Sequence, residues 1–193
     1  MKILVLSLLF TLLTTSKYSQ SKSDDFALVY NSFFVNLKVK VAKDKHTKEN
    51  GLMGIKKLQG YNGMLFVYEK AEKVNMWMKN TYLPLDIIFI NGNNKVSSIK
   101  KGVPGSTKII SSDEKVIAVL EIPLGCGNKL KIKSGSSINW IFKNFFENEN
   151  IEYYHCLEWK EKIEYNGEIR LGKFIDKYKL ENPNFGFELN ELI

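Results

Sequence analysis

Short apolar runs of strand length, separated by turn residues, follow one another through the middle of the chain. No amphipathic stripe of helical period interrupts them before residue 138. Phe33, Val35, Leu37, Val39 and Val41 alternate with Phe34, Asn36, Lys38, Lys40 and Ala42. A period of two sends neighbouring side chains to opposite faces, so this run reads as a half-buried strand. Further strands are expected at Gly63–Tyr68, Val74–Met78, Leu85–Ile90, Lys95–Lys100 and Val116–Ile122. In Val74–Met78, the residues Val74, Met76 and Met78 share one face and Trp77 takes the other. Gly92-Asn93-Asn94 supplies the turn of a hairpin. Asp44 offers an N-cap for a short polar helix running towards Gly51. Strands this closely spaced pair antiparallel in a small barrel or sandwich. The expected fold is therefore mostly β with short helices, followed by a C-terminal α/β extension.

The two ends of the chain read differently. Lys2 precedes a near-continuous apolar run from Ile3 to Leu13, and Thr14, Thr15, Ser16 and Ser19 follow it. That is the layout of a signal peptide over residues 1–19, with cleavage between Ser16 and Gln20. The run is too short for a stable membrane anchor, and no cysteine stands near it to carry a lipid. The reading is an exported protein, periplasmic or secreted, with no integral membrane segment after cleavage. No Asn-x-Ser/Thr sequon is present. After Gly135, the residues Ile138, Ile141, Phe142, Phe145 and Phe146 fall at i, i+3, i+4, i+7 and i+8. This spacing predicts an amphipathic helix from about Ser137 to Glu147, packed on the β domain. The β domain is thus expected over residues 26–138 and the extension over 139–193. Within the extension, Tyr153–Trp159 reads as a strand, Ile163–Arg170 as a hairpin turning at Asn166-Gly167, and Phe174–Leu180 as a short helix.

Charge follows the same division. Residues 26–142 hold 18 lysines against 8 acids, a net of +10, whereas residues 143–193 hold 7 basic residues against 11 acids, a net of −4. The only arginine is Arg170. Readers of nucleic acid rely on arginine forks, so the lysines are expected to form a solvated face, with no nucleic-acid partner. Two histidines and two cysteines leave little room for a histidine or cysteine metal centre. No cofactor is expected, and the chain is expected to be a monomer.

Several ordered blocks carry a resemblance. They are Gly51-Leu52-Met53, Gly63-Met64-Leu65-Phe66-Val67, Met76-Trp77-Met78-Lys79-Asn80-Thr81 and Leu83-Pro84-Leu85-Asp86-Ile87-Ile88-Phe89-Ile90. Val119-Leu120-Glu121-Ile122 with Gly125, and Ile132-Lys133-Ser134-Gly135, complete the set. Together they resemble the domain-of-unknown-function 192 family over about residues 35–138. The resemblance implies a compact, mostly β domain, often exported, and no known reaction. Ile55 stands about where the family pattern has an arginine, and Ser136 where it has an aspartate.

The candidates for chemistry are few. Asp86 and Glu121 each sit between apolar strand residues, where a carboxyl acquires a raised pKa and can act as a general acid or base. Two such groups at a suitable separation serve glycoside hydrolysis. Alternatively, Asp86, two residues after Pro84, accepts hydrogen bonds that fix a turn. Asn80 and Thr81 could contact a ligand or cap their own turn. Met53, Met64, Met76 and Met78 could offer thioethers to Cu(I) or simply fill core space. Cys126 and Cys156 form a candidate disulfide in an oxidising compartment. His155-Cys156 are neighbours on an expected strand and point to opposite faces, so they do not chelate together. The function expected is a non-catalytic, exported binding or accessory module for a small molecule or polymer, with a ligand surface at Asn80, Thr81, Asp86 and Glu121. The alternatives are a polymer hydrolase using Asp86 and Glu121 as acid and base, and a methionine-rich Cu(I) binder.

Overall fold

The computed structural model describes residues 26–31 and 37–143. The expected signal segment and most of the extension, including the strand, hairpin and helix read there, lie outside the described residues. Among the described residues, nine strands and two short helices follow in order: β1 (Phe26–Asn31), β2 (Leu37–Ala42), α1 (Lys45–Asn50), β3 (Met64–Glu72), β4 (Asn75–Met76), β5 (Leu85–Asn91), β6 (Val96–Gly102), β7 (Ile110–Ser111), β8 (Val116–Pro123), α2 (Cys126–Lys129) and β9 (Ile138–Phe142). Seven strands form one sheet in the order β6-β5-β8-β3-β2-β1-β9, and β4 pairs with β7 apart from it.

The sheet curls until its two edges meet at one end. Lys95 and Ser137, just ahead of β6 and β9, form an antiparallel bridge. The Val96 amide donates to Ser136 O at 2.9 Å, and the Ile138 amide to Asn94 O at 2.8 Å. This curl encloses a core of Ala27, Val29, Leu37, Val39, Leu65, Ile88, Ile90, Leu120, Ile122 and Ile138, into which Cys126, Leu130 and Ile132 from α2 and its exit also pack. The opposite face carries a second core. There Met64, Phe66, Leu85, Ile87, Phe89 and Val119 of β3, β5 and β8 meet Leu52, Tyr61, Val74, Met76 and Met78 from the connecting segments. A sheet buried on both faces explains the unbroken apolar runs of β5 and β8. Each fully buried Leu, Ile or Phe contributes roughly 1.5–3 kcal/mol.

Several sequence expectations hold. β5 and β6 form the expected antiparallel hairpin. Asp44 caps α1, its Oδ1 accepting from the Thr47 amide at 2.8 Å. Others are corrected. The apolar run Phe26-Ala27-Leu28-Val29-Tyr30, not read as a strand from sequence, is β1, while the strand expected from Phe33 begins, among the described residues, at Leu37. β2 and β3 run parallel, unlike the other pairs, because the chain returns through α1 before re-entering the sheet. The glycine at 63 is fixed by this entry, since a Cβ there would lie 1.9 Å from Glu121 O.

The largest correction concerns the helix expected from Ser137. Residues 138–142 form strand β9, paired antiparallel with β1 from Ala27↔Phe142 to Asn31↔Ile138. Ile138, Trp140 and Phe142 pack on the enclosed core, and Ile141, only 2 % exposed, points the other way. A strand covered on both faces places apolar residues at any spacing, including three and four, and so imitates a helical stripe. The sheet therefore runs past the expected boundary at 138. Phe145 and Phe146 lie outside the described residues.

Candidate functional site

Register decides the relation between the two candidate carboxyls. Along the β5–β8 pair, Asp86 lies opposite Ile122, and Ile87 opposite Glu121. Residues opposite one another share a face. Asp86 therefore points to the enclosed core with Ile122, while Glu121 points to the outer core with Ile87 and, across β3, with Met64. The acid–base pair of the hydrolase reading is not assembled: the sheet itself stands between its members.

The surroundings of the two groups differ as much as their directions. Asp86 is 6 % exposed, and its Oδ2 accepts from the Gly125 and Gly127 amides, each at 2.9 Å. Gly125 caps α2 without a side-chain bond of its own, so Asp86 reaches from β5 to hold that turn. The bond from the Leu124 amide to Pro84 O, 2.9 Å, ties the same two segments a second time. Gly127 suits the approach, because a Cβ there would sit 3.2 Å from Asp86 Oδ2. Glu121 is 4 % exposed, and among the described residues no side chain or amide hydrogen-bonds its carboxyl. Burial alone pushes its pKa up to about 8, so it is mostly protonated at neutral pH. Tyr68 shares that face, two positions beyond Phe66. Burial, then the neighbouring Glu72 and Glu121 carboxyls, push its phenol well above the ordinary value.

Asn80 and Thr81 form a turn. The Thr81 amide donates to Met78 O at 3.0 Å, and Asn80 adopts φ 55°, a left-handed conformation that asparagine tolerates. Asn80 is exposed, whereas Thr81 is buried, its hydroxyl turned towards Lys79 O. Backbone bonds lock this turn to two neighbouring loops. The Gly54 amide donates to Asn80 O at 2.9 Å, the Gly105 amide to Thr81 O at 3.0 Å, and the Met78 amide to Ser106 O at 3.0 Å. Asn80 and Thr81 thus stay together, and neither is brought to Asp86.

The pinned loops display what sequence reasoning missed. Trp77 is 43 % exposed, Tyr82 57 %, Val103 63 % and Ile109 53 %. Lys79 Nζ lies 5.4 Å from the Trp77 ring centre and Lys56 Nζ 5.9 Å from that of Tyr82. The signal was present in Trp77, which alternates with inward Met76 and Met78 and so had to face out.

The methionines are used for packing. Met64, Met76 and Met78 are buried in the outer core, and Met53 is half-buried. Met78 rests its sulfur on bare Gly102, where a Cβ would lie 2.5 Å from Sδ. This distribution fits core filling and gives the Cu(I) reading no support. Cys126 is 1 % exposed at the start of α2, while Cys156 and His155 lie outside the described residues.

Fold and site together define a curled β half-barrel domain with a core on each face of its main sheet. The chain belongs to the domain-of-unknown-function family DUF192, described as an uncharacterized ACR, whose profile matches residues 29–140. Two crystal structures are similar. One is a candidate transcription regulator from Sinorhizobium meliloti, 34 % identical, with a TM-score of 0.55 over 60 % of this chain and 92 % of that one. The other is a protein of unknown function from Novosphingobium aromaticivorans, 29 % identical, with a TM-score of 0.55 over 60 % of this chain and 84 % of its own. No curated protein matches the chain. No helix among the described residues is long and apolar enough to cross a membrane.

Proposed function

We propose that the chain is an exported binding module that performs no acid–base chemistry with its two buried strand carboxyls. One observation carries the reading: Asp86 and Glu121 occupy opposite faces of the sheet, and Asp86 is committed to the Gly125 and Gly127 amides. The binding face is the loop cluster around Asn80 and Thr81, where exposed Trp77 and Tyr82 stand beside Lys79 and Lys56. Aromatic rings give contact area at little entropic cost, and the lysines select for negative charge. Backbone bonds fix the loops before any ligand arrives, which lowers the ordering cost of binding. Export rests on the signal-like residues 1–19. In the oxidising compartment that export implies, Cys126 pairs with Cys156.

Tryptophan fluorescence tests the reading, with dextran sulfate as the anionic probe and uncharged dextran as the control. A saturable change with dextran sulfate alone, lost in Trp77→Phe and weakened in Lys79→Ala, is the expected result. Silence with both polymers and with anionic vesicles would end the proposal. Tight binding of duplex DNA instead would move the chain towards the role described for the Sinorhizobium protein.

A further inference from the structure

The loop cluster is apolar as well as cationic, and the apolar part narrows the ligand. β4 and β7 pair as Asn75↔Ser111 and Met76↔Ile110. Trp77 and Ile109 are the next residues beyond the last pair, Met76 and Ile110, and both are exposed, whereas Met76 is buried. The Gly105–Thr81 and Met78–Ser106 bonds carry the two segments further side by side, bringing Tyr82 to the Val103-Pro104-Gly105 turn. Four of the exposed large apolar side chains therefore line one pair of adjoining segments. No aspartate or glutamate occurs in residues 51–58, 77–84 or 102–110, while Lys56, Lys57, Lys79 and Lys108 do.

We propose that this face docks on an anionic lipid surface, a proposal that rests on the binding-face reading above. Each part matches a layer of such a surface. Lysines meet the negative headgroups. Tryptophan and tyrosine settle at the headgroup level, because their rings are apolar with one polar tip. Val103 and Ile109 have nothing to offer a sugar polymer or a phosphate, but they gain by entering the acyl boundary. The site is peripheral: it needs no spanning segment, only insertion of a loop tip.

Co-sedimentation with vesicles tests this, using the full chain. Every variant keeps the same residues 1–25, so differences between variants belong to the face. Binding to phosphatidylcholine vesicles containing phosphatidylglycerol is expected to exceed binding to phosphatidylcholine alone. Lys56→Ala and Lys79→Ala are each expected to lower it about fivefold. Val103→Asp should lower it at least as much, with unchanged thermal melting, and Lys133→Glu on the α2–β9 connection should leave it unaltered. Equal binding by wild type and Val103→Asp overturns the lipid assignment. If dextran sulfate still binds in that case, the binding face stands and its partner is a soluble polyanion. If neither vesicles nor dextran sulfate bind, the lipid assignment and the binding face fall together.

Discussion

The two faces of the β5–β8 strand pair hold one buried carboxyl each, and they are solved in opposite ways. On the enclosed face, Asp86 is buried and satisfied: two amides at 2.9 Å surround its Oδ2, and a turn depends on it. On the outer face, Glu121 is buried among apolar side chains with no such donors among the described residues, and it keeps its proton instead. Similar local sequence, Leu-Asp-Ile and Leu-Glu-Ile, thus yields one structural acceptor and one neutral acid. A carboxyl in an apolar run does not announce its role; the donors within reach do.

The largest losses of stability are expected on the Asp86 side. If Cys126 is joined to Cys156 as proposed, Cys156→Ser removes a covalent tie to α2 and should lower stability by about 2–5 kcal/mol. Urea melts that coincide with and without reductant would remove the pairing from the account. Next in size is Asp86→Ala, which leaves the Gly125 and Gly127 amides without their acceptor and should cost about 2–4 kcal/mol. Loss of slow hydrogen exchange at those two amides should accompany it. A variant as stable as wild type would show that α2 stands without Asp86.

Glu121 should behave in reverse. Its folded pKa, about 8, lies above the ordinary glutamate value. Below that ordinary value both folded and unfolded chains hold the proton, and Glu121 adds no pH dependence to stability. Between the two values only the unfolded chain releases its proton, so stability falls as pH rises, and the full penalty is present above about pH 8. Glu121→Gln should flatten this slope and gain about 1–3 kcal/mol over wild type at the alkaline end. Parallel slopes for variant and wild type would point to a hidden partner for the carboxylate. The smallest effect is expected at the turn. Asn80→Ala forces an alanine into the left-handed region and should cost about 1 kcal/mol, whereas Asn80→Gly should be near neutral. Equal losses from both would mean that the amide side chain, not the backbone, matters there.

Much of the fold was legible because strand alternation and turn residues are local signals: the β5–β6 hairpin and the Asp44 cap are where the sequence puts them. β9 was not, because two-sided burial of Ile138 and Ile141 erases the period that separates strand from helix. At the site, the burial of Asp86 and Glu121 could be read from their neighbours. Their separation could not, since a shift of one residue in β5–β8 register would have put both on one face. Tyr82 sits beside Lys56 only through a contact between distant loops, which no local pattern encodes, whereas Lys79 lies two residues from Trp77.

The most direct test of the contrast is a carbon-13 titration of the glutamate side-chain carboxyls, with Glu121 assigned by comparison with Glu121→Gln. The account predicts a Glu121 midpoint near 8, set by burial. A midpoint in the ordinary carboxylate range, about 4 to 5, would contradict it, since Glu121 would then be solvated or paired and the two faces would hold carboxyls of the same kind.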